Sequence, residues 1–270
     1  MEGTMLIIGE KINTVNARVH RAVEERDASY IQHLARSQAE AGADVIDVNV
    51  GGLPGAEPEL MQWAVGLVQE VTDLPLAIDS TDPETIRAGL AACAHPESAW
   101  ANSVTLEEER LKGILPLVRE YGCTVVALCI DKRGVPSDAA GRVEVAKRLI
   151  DEMQRWGIPL ERVYIDCLIQ PVSVQPIAAR VSLETIRAVR AALPGIKTAI
   201  CLSGISFGLP ARRVLNRAFL PPLMEAGVDA IFLDPLDHAL MTVLRASRVL
   251  FGEDLLGLEY IAAYRAGQLE

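Results

Sequence analysis

Aromatic side chains make up only 4% of this 270-residue chain, against 50% hydrophobic residues overall, so its core must rest on Leu, Val, Ile and Ala. The five cysteines, Cys93, Cys123, Cys129, Cys167 and Cys201, are odd in number and form no CxxC pair. That excludes a disulfide framework and a zinc ribbon, and core packing is the expected role of Cys129, Cys167 and Cys201. No apolar run approaches the ~18 residues of a membrane span, and the first residues lack the basic-then-apolar pattern of a secretion signal. A reducing cytoplasm is the expected setting. Basic runs are missing too, and the net charge is −10, from 36 acidic and 26 basic residues. A nucleic-acid binder would carry a basic face.

Short aliphatic or β-branched runs alternate with longer amphipathic stretches. The runs fall at 6–8, 45–48, 76–78, 99–101, 124–128, 163–165, 198–201 and 230–233. Strands covered on both faces read as continuous apolar runs of this kind. Between them, helices are predicted at 17–42, 57–72, 83–93, 105–121, 138–156, 177–193, 211–226 and 238–250, with an extra one at 254–268. Asp82-Pro83-Glu84 marks a helix start, and the stretch from Thr105 through Glu109 reads as a capping box. Gly42, Gly122, Gly157 and Gly227 each follow a helical stretch as stops. The phrases EAGADVIDV (40–48) and EAGVDAIFLD (225–234) are self-similar, each a helix end, a glycine and the next strand. Eight such units predict an α/β chain folded as one (β/α)8 TIM barrel over 1–270. An open doubly wound sheet is the competing arrangement; it would call for a G-x-G-x-x-G turn after the first strand, which is absent.

Barrel chemistry sits at the carboxyl ends of the strands. There the chain places Glu10, Lys11 and Asn13, then Asp47 and Asn49, Asp79 with Ser80, Asn102 with Ser103, Asp131, Asp166, Ser203 and Asp234. Crowding carboxylates into one mouth costs Coulomb and desolvation energy, which a purely structural barrel has no reason to bear. Taken singly, each acid could instead cap the helix that follows. No histidine belongs to the ring, since His20, His33, His95 and His238 all read as helical, so no metal site is expected. Carboxylate and amide oxygens suit a neutral heterocycle rich in N–H donors. A pterin fits, its amino group and adjacent ring N–H matching one carboxylate in bidentate fashion.

The stretches LIIGEKIN (6–13), AGADVIDVNVGG (41–52), LPLAIDST (74–81), ANSV (101–104), YIDCLIQP (164–171) and SFGLPARRVLNRAFL (206–220) carry a resemblance. In that order they are similar to the methyltetrahydrofolate:corrinoid-protein methyltransferases and the folate domain of cobalamin-dependent methionine synthase, and more distantly to dihydropteroate synthase. The resemblance implies that Asp79, Asn102 and Asp166 hold the pterin and form the catalytic set. It implies that Arg212 lies near the cofactor, and that Glu10, Asn13, Asp47 and Asn49 line the mouth. It implies tetrahydrofolate or 5-methyltetrahydrofolate as substrate. It also implies a corrinoid (cobalamin) as second substrate, expected on a separate partner protein because D-x-H-x-x-G is absent. The resemblance also implies a homodimer.

One departure stands out. Where the family commonly reads Leu-Ser-Asn, this chain reads Leu202-Ser203-Gly204. In the family that Asn side chain hydrogen-bonds the nitrogen bearing the methyl group, a poor leaving group until protonated. Either water or another residue takes its place, or the chain is a pterin binder with impaired transfer. A dihydropteroate-synthase-like condensation is the remaining alternative.

Overall fold

The computed structural model describes residues 4–269; residues 1–3 and 270 of the expected 1–270 unit lie outside that range. Eight parallel strands close into a barrel in chain order: β1 (Leu6–Asn13), β2 (Val45–Asn49), β3 (Leu76–Asp79), β4 (Trp100–Val104), β5 (Thr124–Leu128), β6 (Val163–Asp166), β7 (Lys197–Cys201) and β8 (Ala230–Leu233). The outer layer holds α1 (Ala17–Glu24), α2 (Ala28–Glu40), α3 (Glu57–Gln69), α4 (Pro83–Ala92), α5 (Glu108–Tyr121), α6 (Ala139–Arg155), α7 (Ala178–Ala192), α8 (Arg212–Glu225) and α9 (His238–Leu250), with α10 (Leu258–Arg265) appended.

Local chemistry accounts for most boundaries. The Asp82 carboxylate accepts from the Glu84 and Thr85 amides ahead of Pro83, and Asp138 caps α6 through the Gly141 amide. Gly42, Gly122, Gly157 and Gly227 all take positive φ, between 62° and 96°, as helix stops require. The two self-similar phrases share a device. Asp44 accepts from the Ile7 amide at 2.8 Å, and Asp229 from the Thr198 amide at 2.7 Å, each tying a helix-to-strand turn to a neighbouring strand.

Three expectations need correcting. The stretch 17–42 is two helices, because Asp27 caps a second one through the Tyr30 amide at 3.1 Å. The stretch from Thr105 makes no capping box: the Thr105 hydroxyl is engaged with Glu107, two residues on, and α5 starts only at Glu108. His95 lies in an exposed turn ahead of β4 and not in a helix.

The core has two parts. The larger lies between strands and helices. The smaller fills the barrel itself with Ile8, Val45, Ala77, Trp100, Val126, Tyr164, Ala199, Ala230 and Phe232, one or two from every strand. Trp100 and Tyr164 pack ring on ring at 4.4 Å, spending two of the few aromatics on this plug. The barrel interior is thus solid below and leaves space only above.

Candidate active site

Side chains alternate along a strand, so the residue two past each plug residue faces inward again, one layer higher. Those positions are Glu10, Asp47, Asp79, Asn102, Leu128, Asp166, Cys201 and Asp234, one for each strand in turn. Seven of the eight can hydrogen-bond. In register Asp79 lies beside Asn102 of β4 and Asn49 of β2, while Asp47 lies one step lower, beside Ala77. Irregularities in β1 between Gly9 and Ile12, and in β4 between Asn102 and Val104, fall at this layer.

The layer is internally bonded. Asn49 donates its Nδ2 to Asp79 Oδ2 at 2.9 Å, and Asn102 donates Nδ2 to Asp47 Oδ1 at 3.1 Å. Asn49 Oδ1 in turn accepts from the Gly51 amide and the Thr14 hydroxyl, fastening the glycine loop beyond β2. Asp166 Oδ1 accepts from the Leu168 amide at 2.7 Å. Asp79 and Asp166 therefore cap no helix; Asp82 does that work for α4. Each carboxylate keeps one oxygen with no protein donor among the described residues: Oδ2 of Asp47, Oδ1 of Asp79 and Oδ2 of Asp166.

Burial lifts Asp79, Asp166, Asp47 and Glu10. Asp79 rises to about 6, with the Asn49 hydrogen bond and the Arg110 charge working the other way. Asp166 also rises to about 6 through burial, opposed by the Leu168 amide and Arg142. Asp47 stands well above the usual carboxylate range, through burial and then the nearby Asp79. Glu10 is raised mainly by burial, although it accepts from the Ser203 hydroxyl at 3.0 Å and the Cys201 thiol at 3.4 Å. A ligand donating N–H groups would favour the ionised forms.

A cavity of about 630 Å³ opens beside this layer, within the usual range for small-molecule sites. Glu10, Asn13 and Arg212 line it, with Lys11, Cys201, Ser203 and Gly204. Asp47, Asn49, Asp79, Asn102 and Asp166 do not, although the charge of Glu10 acts on Asp47 and that of Asp166 on Cys201. Asn13 turns its Oδ1 onto the Val15 amide at 2.9 Å. Arg212 donates to the Ser203 carbonyl at 2.8 Å and to the Ser206 hydroxyl at 3.1 Å, bracing the loop that carries Gly204. A Cβ at 204 would sit 3.4–3.6 Å from Ile169, ordinary contact.

One expectation fails here. Asp131 is not part of the ring. Arg133 and Arg148 bind it at 2.8 and 3.2 Å, and the hydrogen bonds from Arg133 hold it down to about 2, as the clamp of a surface turn. Cys129 and Cys167 are fully buried core residues as expected; Cys201, partly buried, packs against the plug and also donates its thiol to Glu10 at 3.4 Å.

Sequence reasoning also missed three supports. Arg142 of α6 is fully buried and donates to the carbonyls of Cys167 and Leu168 at 2.9 and 2.8 Å, fixing the turn beyond Asp166. Gln38 of α2 is fully buried and accepts from the Lys11 amide at 2.9 Å, inside the β1 irregularity. Both were visible in principle: Arg142 is in phase with Val145, Ala146 and Leu149, and Gln38 with Ile31, Leu34 and Ala35, so each sits on an apolar stripe. Arg110 of α5 donates to the Ser103 carbonyl at 3.0 Å and supplies the charge opposing burial at Asp79; no pattern singled it out.

A parallel eight-stranded barrel with a solid floor and a hydrogen-bonding layer of buried acids at the strand ends has the architecture of an α/β-barrel enzyme. A family model described as pterin binding enzyme matches residues 9–234, and the chain belongs to that family. It is 35% identical over 267 residues to a methylcorrinoid:tetrahydrofolate methyltransferase of Eubacterium limosum, covering 98% of both chains. It is 34% identical over 240 residues to a methionine synthase of Mycobacterium leprae, of which it spans 20%. Among solved structures, dihydropteroate synthase from Xanthomonas albilineans in complex with 7,8-dihydropteroate superposes with a TM-score of 0.64 at 20% identity, covering 92% of this chain and 95% of that one. That likeness extends to the fold.

Proposed function

We propose that this chain transfers a methyl group between a corrinoid carried by a separate protein and tetrahydrofolate or a related tetrahydropterin. The observation that carries the reading is the set of buried acids with an oxygen left over, in a chain similar end to end to a methyltransferase of that kind. In this reading Asp79 and Asp166 accept the pterin's amino and ring N–H groups, and Asn102, oriented by Asp47, meets its ring heteroatoms. Asn49 holds Asp79 in place, Asn13, Glu10 and Arg212 line the approach, and the transfer is an acid-assisted SN2 displacement.

Exposed apolar side chains support a docking partner over the mouth: Val15, Val174, Ile177, Phe207 and Val214 all stand on or beside loops leaving the strand ends. The reading includes a homodimer, supported by a second exposed apolar set, Leu250, Leu255, Leu256, Leu258, Ile261 and Tyr264. It includes a cytoplasmic setting, consistent with five free cysteines.

Gly204 favours a second reading, a pterin binder that no longer transfers methyl. Calorimetry with tetrahydrofolate and its 5-methyl form, then visible spectroscopy with methylcobalamin and with reduced cobalamin, tests both. Binding with interconversion of the two cobalamin spectra supports transfer. Binding without it supports the second reading, and no binding overturns both.

A further inference from the structure

Methyl transfer at a pterin nitrogen leaves a proton to be handled. When the pterin is methylated, the nitrogen lone pair forms the N–CH3 bond and the cobalt–carbon electron pair stays on cobalt. The nitrogen then carries one proton too many. In reverse, the nitrogen must gain a proton as its methyl leaves. Gly204 offers no group for either, and no histidine lines the cavity.

We propose that Glu10 and Ser203 form the proton relay of this site, the Ser203 hydroxyl exchanging a proton with the reacting pterin nitrogen and the Glu10 carboxyl storing it. The proposal rests on the methyl-transfer reading above.

The geometry supports the pair. Ser203 immediately precedes Gly204, and both line the mouth cavity with Glu10. The Ser203 hydroxyl donates to Glu10 Oε2 at 3.0 Å, so the two already share a hydrogen along the line a proton would travel. A hydroxyl both donates and accepts, which a relay requires. Glu10 sits on β1, two strands round the barrel from Cys201 of β7, whose thiol also donates to Oε2 at 3.4 Å. The charged groups around Glu10 leave it free to gain or lose a proton. Lys11, its chain neighbour, is paired with Asp234, just past β8, at 2.9 Å; Asp234 adds negative charge beside Glu10, and Glu10 in turn acts on Asp47 of β2. Burial, and after it the charge of Asp234, raise Glu10 above the ordinary carboxylate range against the Ser203 and Cys201 hydrogen bonds and the charge of Lys11, toward the region where a proton store works best.

In methylation of the pterin, the nitrogen's proton passes to Ser203 Oγ as the Ser203 hydrogen passes to Glu10. In demethylation both hops reverse. No oxidant or further reactant is needed.

The test compares the unaltered protein with Glu10→Gln and Ser203→Ala in both directions, measuring pterin affinity by calorimetry and kcat against pH at saturating pterin. Saturation occupies the pterin-holding acids, so the kcat profile reports the relay. The unaltered protein should show a kcat that rises with pH for pterin methylation and falls for demethylation. Both variants should bind the pterin within about threefold of the unaltered protein, lose that pH limb and fall about a hundredfold in kcat, the low end for a lost acid–base group. Adding Gly204→Asn to Glu10→Gln should restore at least about tenfold, by supplying a donor at the reacting nitrogen. A kcat within about threefold of the unaltered protein in either variant, or a pH limb that survives in both, overturns the relay while leaving the methyl-transfer reading intact. Should Glu10→Gln fail to bind pterin, Ser203→Ala decides by the same criteria. No transfer by the unaltered protein overturns the methyl-transfer reading, and the relay with it.

Discussion

Replacing Asp166 by Asn separates the carboxylate's charge from its shape. An Asn Oδ1 can still accept from the Leu168 amide, the contact at 2.7 Å that shapes the turn beyond β6. Only the ionisable group disappears. In the folded chain Asp166 rises to about 6 from an ordinary value of 3.8, a gap worth about 3 kcal/mol. Because the folded value is the higher one, the associated stability is fully present below about pH 4, where both states are protonated. It is lost as pH climbs to about 6 and stays lost above. The unliganded protein therefore carries a strained anion at neutral pH, and Asp166→Asn removes it. The variant's advantage in unfolding free energy should be about 2 kcal/mol larger near pH 7.5 than near pH 4.5, or about 4–8 °C in melting temperature. Urea or thermal unfolding at the two pH values measures this directly. Pterin affinity should move the other way, dropping at least tenfold, because an amide Nδ2 would face ring N–H donors. An Asn variant less stable than the parent at neutral pH, or equally shifted at both pH values, would refute the electrostatic account of this site.

Pterin affinity should fall as the medium is acidified through about pH 6, where Asp79 and Asp166 take up protons, as titration calorimetry across that range can check. Asn49→Ala should weaken pterin binding about tenfold with little loss of stability, since it frees Asp79 and unfastens the Gly51 loop; an unchanged dissociation constant would count against Asn49 as a support. Arg142→Met should cost about 2 kcal/mol in urea unfolding, because it strands the buried Cys167 carbonyl and leaves the Leu168 carbonyl to the Ser182 hydroxyl alone. Gly204→Asn should fold normally, given ordinary contacts around the added Cβ, and should speed methyl transfer; a rate unchanged or lowered would mean the site is already complete without the amide.

The eight strands were legible because a barrel strand is apolar on both faces and bounded by turn chemistry, and helix stops at Gly42, Gly122, Gly157 and Gly227 rest on backbone geometry that glycine adopts most easily. The inward layer was legible for a related reason: a polar residue two places past an apolar one, at the end of a strand, is both in phase with the interior and near its opening. Asp131 misled because strand-end position alone does not set direction; a tight turn closed by Arg133 gives its carboxylate to Arg133 and Arg148. Arg142 and Gln38 were hidden by their helices. A polar residue on an apolar stripe shows only that something must be satisfied, and the partners, Leu168 O and the Lys11 amide, lie 26 and 27 residues away.

The aromatic-and-aliphatic plug beneath the acids fills the barrel and meets the layer above it through Leu128 and Cys201. Foundation and workbench are separate storeys of one building. Descendants of this chain can refit the upper storey for another heterocycle by single exchanges while the lower one goes on holding the walls together.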